Sequence, residues 1–411
     1  MNTIYDSAAV AAGRRVAARM ARVTTSKIYL AIAKVADMQA QGMQVASLTA
    51  GEPDFDTPAH VIEAAVQAMR GGDTHYTPVR GSLAMREAVR QKFQRENGLA
   101  FRDEEVMVGT GSKQVIANAL AVTLETGDEV LLPVPYWAAY TGMVYAAGGV
   151  PTFVGTRAED GYKLTPQALR AALGPRTRWV ILNTPSNPSG LVYGSDELRA
   201  LGEVLRERPD VLILTDEIYE HLNYTAEPPA SLRKLCPDLA ERIVVVNGVS
   251  KAYAMTGWRL GFAGGPADII EAMANLQAQT TLAPCSISQA AAVAALNGPR
   301  ESIDAMAAAY RRRRDLVMQI AGGQPGVRLQ RPDGAFYAML DLSEALAGGE
   351  RFRGDPEPDQ AFCEWLLETR HVAAVPGSVF GAPGSVRISF ATDEQTIERG
   401  LTGLLDAAAH C

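Results

Sequence analysis

Thiol chemistry has little to work with in this sequence. Four cysteines, Cys236, Cys285, Cys363 and Cys411, lie far apart with no CxxC spacing. That excludes a cysteine zinc site and a disulfide framework, and it points to a reduced, cytoplasmic compartment. No metal site is expected. No apolar run reaches the roughly 18 residues a membrane span requires. Excess positive charge is also missing: 39 Lys and Arg stand against 46 Asp and Glu, a net charge of −7. Nothing in that balance favours a nucleic-acid partner. The one dense basic run, Arg311 to Arg314, follows Ala307, Ala308 and Ala309 in a helix-like stretch and reads as a solvated helix face. Arg14, Arg15, Arg19 and Arg22 sit among alanines, but no continuous apolar segment follows, so a surface helix or arm is expected rather than a secretory signal. Internal repeats and low-complexity linkers are absent.

What remains is a globular composition, 47% hydrophobic and 21% charged over 411 residues. That length predicts two to three domains. Short apolar strands are expected at 104–109, 129–133, 179–183, 211–215 and 243–247, with a helix at 114–124 after the first. Strands alternating with helices predict an α/β fold with a mostly parallel, helix-covered sheet. From about residue 300 the texture changes to a long helix and then to Gly/Pro-punctuated short segments. The expected division is a large domain over 60–300 and a smaller α/β domain built from 1–59 and 301–411.

In such sheets ligands sit beyond the carboxyl ends of the strands. Polar residues follow the predicted strands here. Gly109-Thr110-Gly111-Ser112-Lys113-Gln114 is half of a dinucleotide fingerprint, with Gln114 where a third glycine belongs. A glycine turn between strand and helix points N–H groups at an anion, although a plain structural turn stays open. Asp216 ends an apolar strand, where a carboxylate is costly unless paired. It fits either a helix N-cap or a partner for a protonated pyridine nitrogen. Ser250-Lys251 follows another strand, and Arg259 comes eight residues after Lys251. A lysine amine condenses with an aldehyde, and an arginine fork clamps a phosphate. Together they suit a phosphorylated aldehyde.

The segment Ser250 to Gly261 resembles the lysine signature of the fold-type I, class I aminotransferases, in particular the bacterial aspartate aminotransferase-like group. The resemblance runs along nearly the whole chain. Ala50 to Pro58, Tyr76-Thr77-Pro78 with Gly81, Pro135-Tyr136-Trp137 and Asn183 to Gly190 match the family's motifs in order. Asp216-Glu217-Ile218-Tyr219, Pro332 to Tyr337, Pro376 to Gly381 and Val386-Arg387-Ile388-Ser389 complete the series.

The resemblance implies a pyridoxal 5′-phosphate enzyme that moves an amino group from an L-amino acid to a 2-oxo acid by a ping-pong scheme. Lys251 would carry the cofactor as an aldimine and shuttle the Cα proton. Asp216 would pair with the pyridine nitrogen, Tyr219 and Asn187 would bond the ring's phenolic oxygen, and Trp137 would stack on the ring. Gly111, Ser112, Lys113, Ser250 and Arg259 would hold the phosphate. Tyr76 would reach the phosphate of a neighbouring subunit, which implies a homodimer with shared sites. Arg387 would bind the substrate carboxylate with help from Gly51, with Trp137 and Asn187 beside it.

Side-chain specificity departs from the family's dicarboxylate pattern. Ser26-Lys27-Ile28 and Gln277 to Pro284 place Ile28, Leu282 and Ala283 where polar groups are common. The expectation leans towards a neutral, aromatic or unusual donor. Lys27 or Arg80 offers a route back to an acidic one. The alternative is a specialised reaction on the same scaffold, such as an oxidase, hydroxylase, lyase or cyclase, because the cofactor does not fix the carbanion's fate. A regulator with a fused DNA-binding segment has little room in the roughly 50 residues before Gly51.

Overall fold

Runs such as Val130-Leu131-Leu132, Val180-Ile181-Leu182 and Val244-Val245-Val246 are apolar on both faces of an extended chain, so they need cover on both sides. The structure, a computed structural model, describes residues 15–25, 27–157 and 160–411. Arg14 of the arginine-rich arm and Ser26 of Ser26-Lys27-Ile28 lie outside the described residues. After a two-residue strand β1 (Ala46–Ser47) come β2 (Val106–Gly109), β3 (Glu129–Pro133), β4 (Val150–Val154) and β5 (Thr177–Asn183). Then follow β6 (Leu212–Asp216), β7 (Ile243–Gly248) and β8 (Gly261–Gly264). Strands β2 to β8 form a seven-stranded sheet in the order β2-β8-β7-β6-β5-β3-β4.

Strands β3 to β7 pair in parallel, whereas β8 runs antiparallel to both its neighbours. Because side chains alternate along a strand, the sheet feeds two cores. Leu131, Val180, Leu182, Ile213 and Val245 face one, and Val130, Leu132, Trp179, Ile181, Val244 and Val246 face the other. The helix Ser195–Arg206 covers the first face with Leu198, Leu201, Val204 and Leu205, a helical spacing. Burial of each such leucine contributes about 1.5–3 kcal/mol. Helices Ser112–Thr123 and Ala267–Thr280 cover the second face.

A smaller antiparallel sheet has the order β12-β13-β10-β9, made of β9 (Arg328–Leu329), β10 (Tyr337–Asp341), β12 (Val375–Pro376) and β13 (Ser385–Ser389). The short strand β11 (Val372–Ala373) pairs with β1, tying residues 46–47 to the C-terminal part of the chain. Leu340, Val386 and Ile388 pack on Phe362, Leu366 and Leu401 in a third core. Alternation then turns Arg387 to the opposite face of β13.

Several local expectations shift. The first strand starts at Val106, because Asp103–Glu105 forms a 3-10 turn in which the Glu105 carboxylate accepts from the Arg102 N–H at 2.6 Å. The helix after it begins at Ser112 rather than 114, since Gly111 makes the turn at φ +82°. Strand β8 was not anticipated; Gly261-Phe262-Ala263-Gly264 is short and glycine-rich. The basic run is a correction. Arg311 and Arg312 are exposed, but Arg314 is 2% exposed and Arg313 pairs with Asp54 at 2.8 Å. Four consecutive helical residues sweep most of a turn, so they cannot all face solvent on a packed helix.

Candidate active site

Strands β5 and β6 end side by side, with Asn183 opposite Asp216. The Asp216 side chain is buried, and its Oδ2 accepts from the Tyr140 hydroxyl at 2.7 Å. Its Oδ1 accepts from the Ile218 N–H at 3.3 Å. No helix follows Asp216, so the N-cap reading falls away. Burial pushes its carboxyl up to about 6, against the pull of the Tyr140 and Ile218 hydrogen bonds and of Lys251. Asn183 braces the corner: its amide donates to the Asp216 carbonyl at 2.9 Å, and its Oδ1 accepts from the Asn187 N–H at 2.8 Å.

At the end of β2, Gly111 caps the helix Ser112–Thr123. A Cβ on Gly111 would lie 2.5 Å from an Arg259 guanidinium nitrogen, and one on Gly261 would lie 2.2 Å from the Ser112 nitrogen. The backbone contact requires glycine at Gly261, and φ +82° favours it at Gly111. Arg259 itself sits at φ +54°, an uncommon backbone for arginine. The result is a helix N-terminus with a guanidinium drawn against it, an arrangement suited to an anion. The Ser112 hydroxyl donates to the Asn247 carbonyl at 2.9 Å.

Lys251 follows β7 in a turn, beside the buried Ser250. Its Nζ donates to the Gly51 carbonyl at 2.5 Å and lies 5.9 Å from the centres of both the Tyr219 and Phe336 rings. Burial pulls its pKa down to about 8; Glu52 and Asp216 oppose the shift, and Arg259 and Arg387 reinforce it. Tyr219 meets the Tyr337 hydroxyl at 3.1 Å.

Arg387 is 1% exposed. One guanidinium nitrogen donates to Asn187 Oδ1 at 3.2 Å and another to the Thr49 carbonyl at 2.9 Å. The ring of Tyr337 lies 4.5 Å from the guanidinium carbon and that of Phe380 5.0 Å. Its Nε has no partner, and no carboxylate pairs with it among the described residues. A buried guanidinium without a counter-ion is expensive, and burial draws its pKa below the usual value. The structural salt bridge that a buried arginine normally makes is not formed here. The group is left able to take a carboxylate.

The structure thus gathers Lys251, Gly51, Asp216, Tyr219, Asn187 and Arg387 at one crevice, flanked by Gly111, Ser112 and Arg259. Lys113 places its Nζ 5.1 Å from the centre of the Trp137 ring. Trp137 in turn stands edge-on to Tyr140, with ring centres 5.2 Å apart. Tyr76 is not drawn in: it is 90% exposed, and among the described residues no hydrogen bond or ring contact ties it to this cluster. Arg80 is held by Asp103 and Lys27 by Glu357 and Gln360, so neither offers a free cation. Ile28 packs on Met339, Val375 and Phe380. Leu282 takes φ +60°, next to a Thr281 hydroxyl bonded by the Gln114 amide. Sequence reasoning missed Tyr140, Tyr337 and Thr49, and it gave Asn183 no role.

Comparison with known proteins agrees with this chemistry. The family model described as aminotransferase class I and II matches residues 44–404. An aspartate aminotransferase of Rhizobium meliloti is 45% identical over 394 residues, covering 95% of each chain. An aspartate/prephenate aminotransferase of Nitrosomonas europaea is 44% identical, covering 93% of this chain and 97% of that one. The solved aspartate aminotransferase of Thermus thermophilus with maleate is 40% identical and superposes with a TM-score of 0.89, covering 96% of this chain and 100% of that one. These matches favour transamination over the specialised alternatives. The chain belongs to the class I and II aminotransferases and is a pyridoxal-phosphate-dependent enzyme acting on an amino acid and a 2-oxo acid.

Proposed function

We propose that Lys251 is the catalytic base of this aminotransferase and that its preferred donor is an L-amino acid with a second carboxylate, such as aspartate. Bound pyridoxal phosphate supplies an electrophilic carbon for amines and a ring that draws electrons from the substrate. The residues present fit it. Asp216, buried and reluctant to ionise alone, suits a protonated ring nitrogen. Gly111, Ser112, Ser250 and Arg259 suit its phosphate. Asn187 and Tyr219 would bond its phenolic oxygen, and Trp137 would stack on the ring. A pKa near 8 leaves part of the Lys251 amine free at neutral pH, and its Nζ removes the substrate's Cα proton.

The observation that carries the reading is the underpartnered Arg387 beside Lys251. Arg387 takes the substrate α-carboxylate as a bidentate partner, next to Gly51. Lys113, exposed and without a carboxylate partner among the described residues, takes the distal carboxylate over Trp137. The relatives' aspartate names and the maleate held by the Thermus protein support an acidic substrate. A second reading, a ring-bearing substrate, is favoured by the apolar wall of Ile28, Ala138 and Phe380 next to Arg387.

Residues 60–300 are read as the cofactor-holding unit, and 1–59 with 301–411 as the unit carrying Arg387, supported by the β1–β11 pairing. The exposed Tyr76 supports a homodimer in which it serves the partner's site. The free cysteines among the described residues support a cytoplasmic setting.

A donor screen read by the absorbance of the bound cofactor tests the proposal. Aspartate is expected to convert the cofactor fastest. Lys113→Ala is expected to lower kcat/KM for aspartate about 10- to 100-fold while sparing phenylalanine, the size of a lost charge-assisted contact. Equal loss for both donors would move Lys113 out of substrate recognition.

A further inference from the structure

A second group of buried charges lies behind the crevice. The helix Leu83–Lys92 continues into a π-helical turn, Phe93–Asn97. The wider turn brings Lys92, Glu96 and Asn97 to one side, and such turns are frequent at functional sites. Lys92 is 1% exposed and Glu220 4%. The Lys92 ammonium donates to Glu220 Oε1 and, at 2.7 Å, to Asn97 Oδ1. The Asn97 amide donates to Glu220 Oε2. Glu96, Glu220 and His221 offer atoms within 4.8 Å of one another, the geometry of a metal site. Lys92 Nζ stands among those same oxygens, 3.7 Å from Glu96. A fixed cation therefore already fills the place.

Such a pair is costly to bury and is often replaceable by apolar groups without loss of stability, so its geometry calls for another reason. Its connections supply one. Glu220 closes the turn that begins at Asp216 and contains Tyr219. On its other side, Glu220 Oε1 accepts from the Asn247 amide at 2.7 Å. The side chain of Asn247 is thereby fixed, with its Oδ1 accepting from the Gly248 N–H at 2.7 Å, while its carbonyl holds the Ser112 hydroxyl at 2.9 Å. One unbroken chain of bonds runs Lys92–Glu220–Asn247–Ser112. It joins the ring end of the crevice to the phosphate end.

We propose that the Lys92–Glu220 pair is a positioning device that, through Asn247, holds the ring-binding and phosphate-binding halves of the cofactor site in register. This rests on the cofactor roles proposed above for Asp216 and Ser112. None of the three residues touches the reacting atoms. Glu217 in the same turn agrees: burial and the adjacent Glu220 charge push its carboxyl up to about 8, so only one of the two buried carboxylates carries a matched charge at neutral pH.

The test compares the apoenzymes of wild type, Lys92→Met/Glu220→Gln, Asn247→Ala and Asp216→Asn. Each is titrated with pyridoxal 5′-phosphate by tryptophan fluorescence, and the bound cofactor's absorbance is then followed against pH. The double variant removes both charges together, and Asn247→Ala leaves the pair intact but cuts its link to the cradle. Both are expected to weaken cofactor binding about 10- to 100-fold, the usual effect of losing an outer-layer partner, and to shift the absorbance midpoint. Melting of the apo forms is expected to stay within a few degrees of wild type. Unchanged affinity and midpoint in Asn247→Ala, or affinity falling only in step with apo melting, would overturn the proposal. Asp216→Asn separates the two layers: if it too binds the cofactor like wild type, the underlying assignment fails, not only the positioning device.

Discussion

The two ends of the seven-stranded sheet treat polar side chains in opposite ways. At the carboxyl ends of β5, β6 and β7, Asp216, Asn187 and Ser250 are buried, with Lys251 partly so and Arg387 brought in from β13. Several of these groups are held short of their usual partners. At the amino ends the charges are exposed or half-buried, and the arginines there have partners. Arg176, with 71% of its side chain exposed, forks onto Glu129 at 2.7 Å, and Arg178 donates to the Asp210 carbonyl at 3.3 Å. A hollow of about 670 Å³ opens there, lined by Arg176, Arg178 and Asp210 with Glu125, Asp128 and Asp268. A hollow by itself does not make that end the reactive one. Chemistry favours the other, because a desolvated, underpartnered charge costs free energy that only a ligand or a reaction explains.

The largest effect expected from breaking this contrast is at Lys251. Lys251→Ala is expected to lower turnover at least about 10²- to 10⁴-fold, the range set by loss of general acid–base catalysis. The rate of 2-oxo acid formation, measured with saturating cofactor, reads it directly. A variant keeping a large share of wild-type turnover would remove the reason for regarding the carboxyl ends as the reactive side.

A smaller, opposite effect sharpens the comparison at Asp216. Its folded pKa of about 6 lies above the ordinary 3.8. The linked stability is therefore fully present below pH 3.8 and lost as the pH rises through about 6. Above that window, the cofactor-free protein carries roughly 1–3 kcal/mol of strain from a buried, ionised carboxylate. Asp216→Asn is expected to make the apoenzyme more stable than wild type at pH 8, by about that amount, in urea unfolding. Saturating pyridoxal phosphate is expected to reverse the order. An apo variant less stable than wild type at pH 8 would show that Asp216 is a structural residue.

Much of this site is legible in the sequence, for a physical reason. In a parallel sheet the carboxyl end of each strand is fixed by the run of apolar residues before it, so Asp216 and Lys251 announce themselves by position. What was illegible depends on distance along the chain or on helical phase. Tyr140 reaches Asp216 across 76 positions, and nothing around Tyr140 signals the contact. Thr49 meets Arg387 across 338. Arg314 was legible in principle, since four successive helical residues cannot share one face. Strand β8 hid because two of its four residues are glycines, whose small size is what lets Gly261 approach the Ser112 backbone.

The smallest expected effect lies at the amino ends. Arg176 and Glu129 make a well-formed fork, with contacts of 3.0 and 2.7 Å to one carboxylate oxygen. The arginine is nevertheless largely in water, where attraction is screened and ordering a long side chain offsets most of the gain. Arg176→Ala is expected to cost about 0.2–1 kcal/mol in urea unfolding, less in 1 M salt, with kcat and KM unchanged. Its backbone carbonyl, which accepts from the Glu129 N–H at 2.8 Å, survives the substitution, so the strand register should too. A loss of activity without a loss of stability would mean that the hollow at this end communicates with the crevice, and the division between the two ends of the sheet would have to be redrawn.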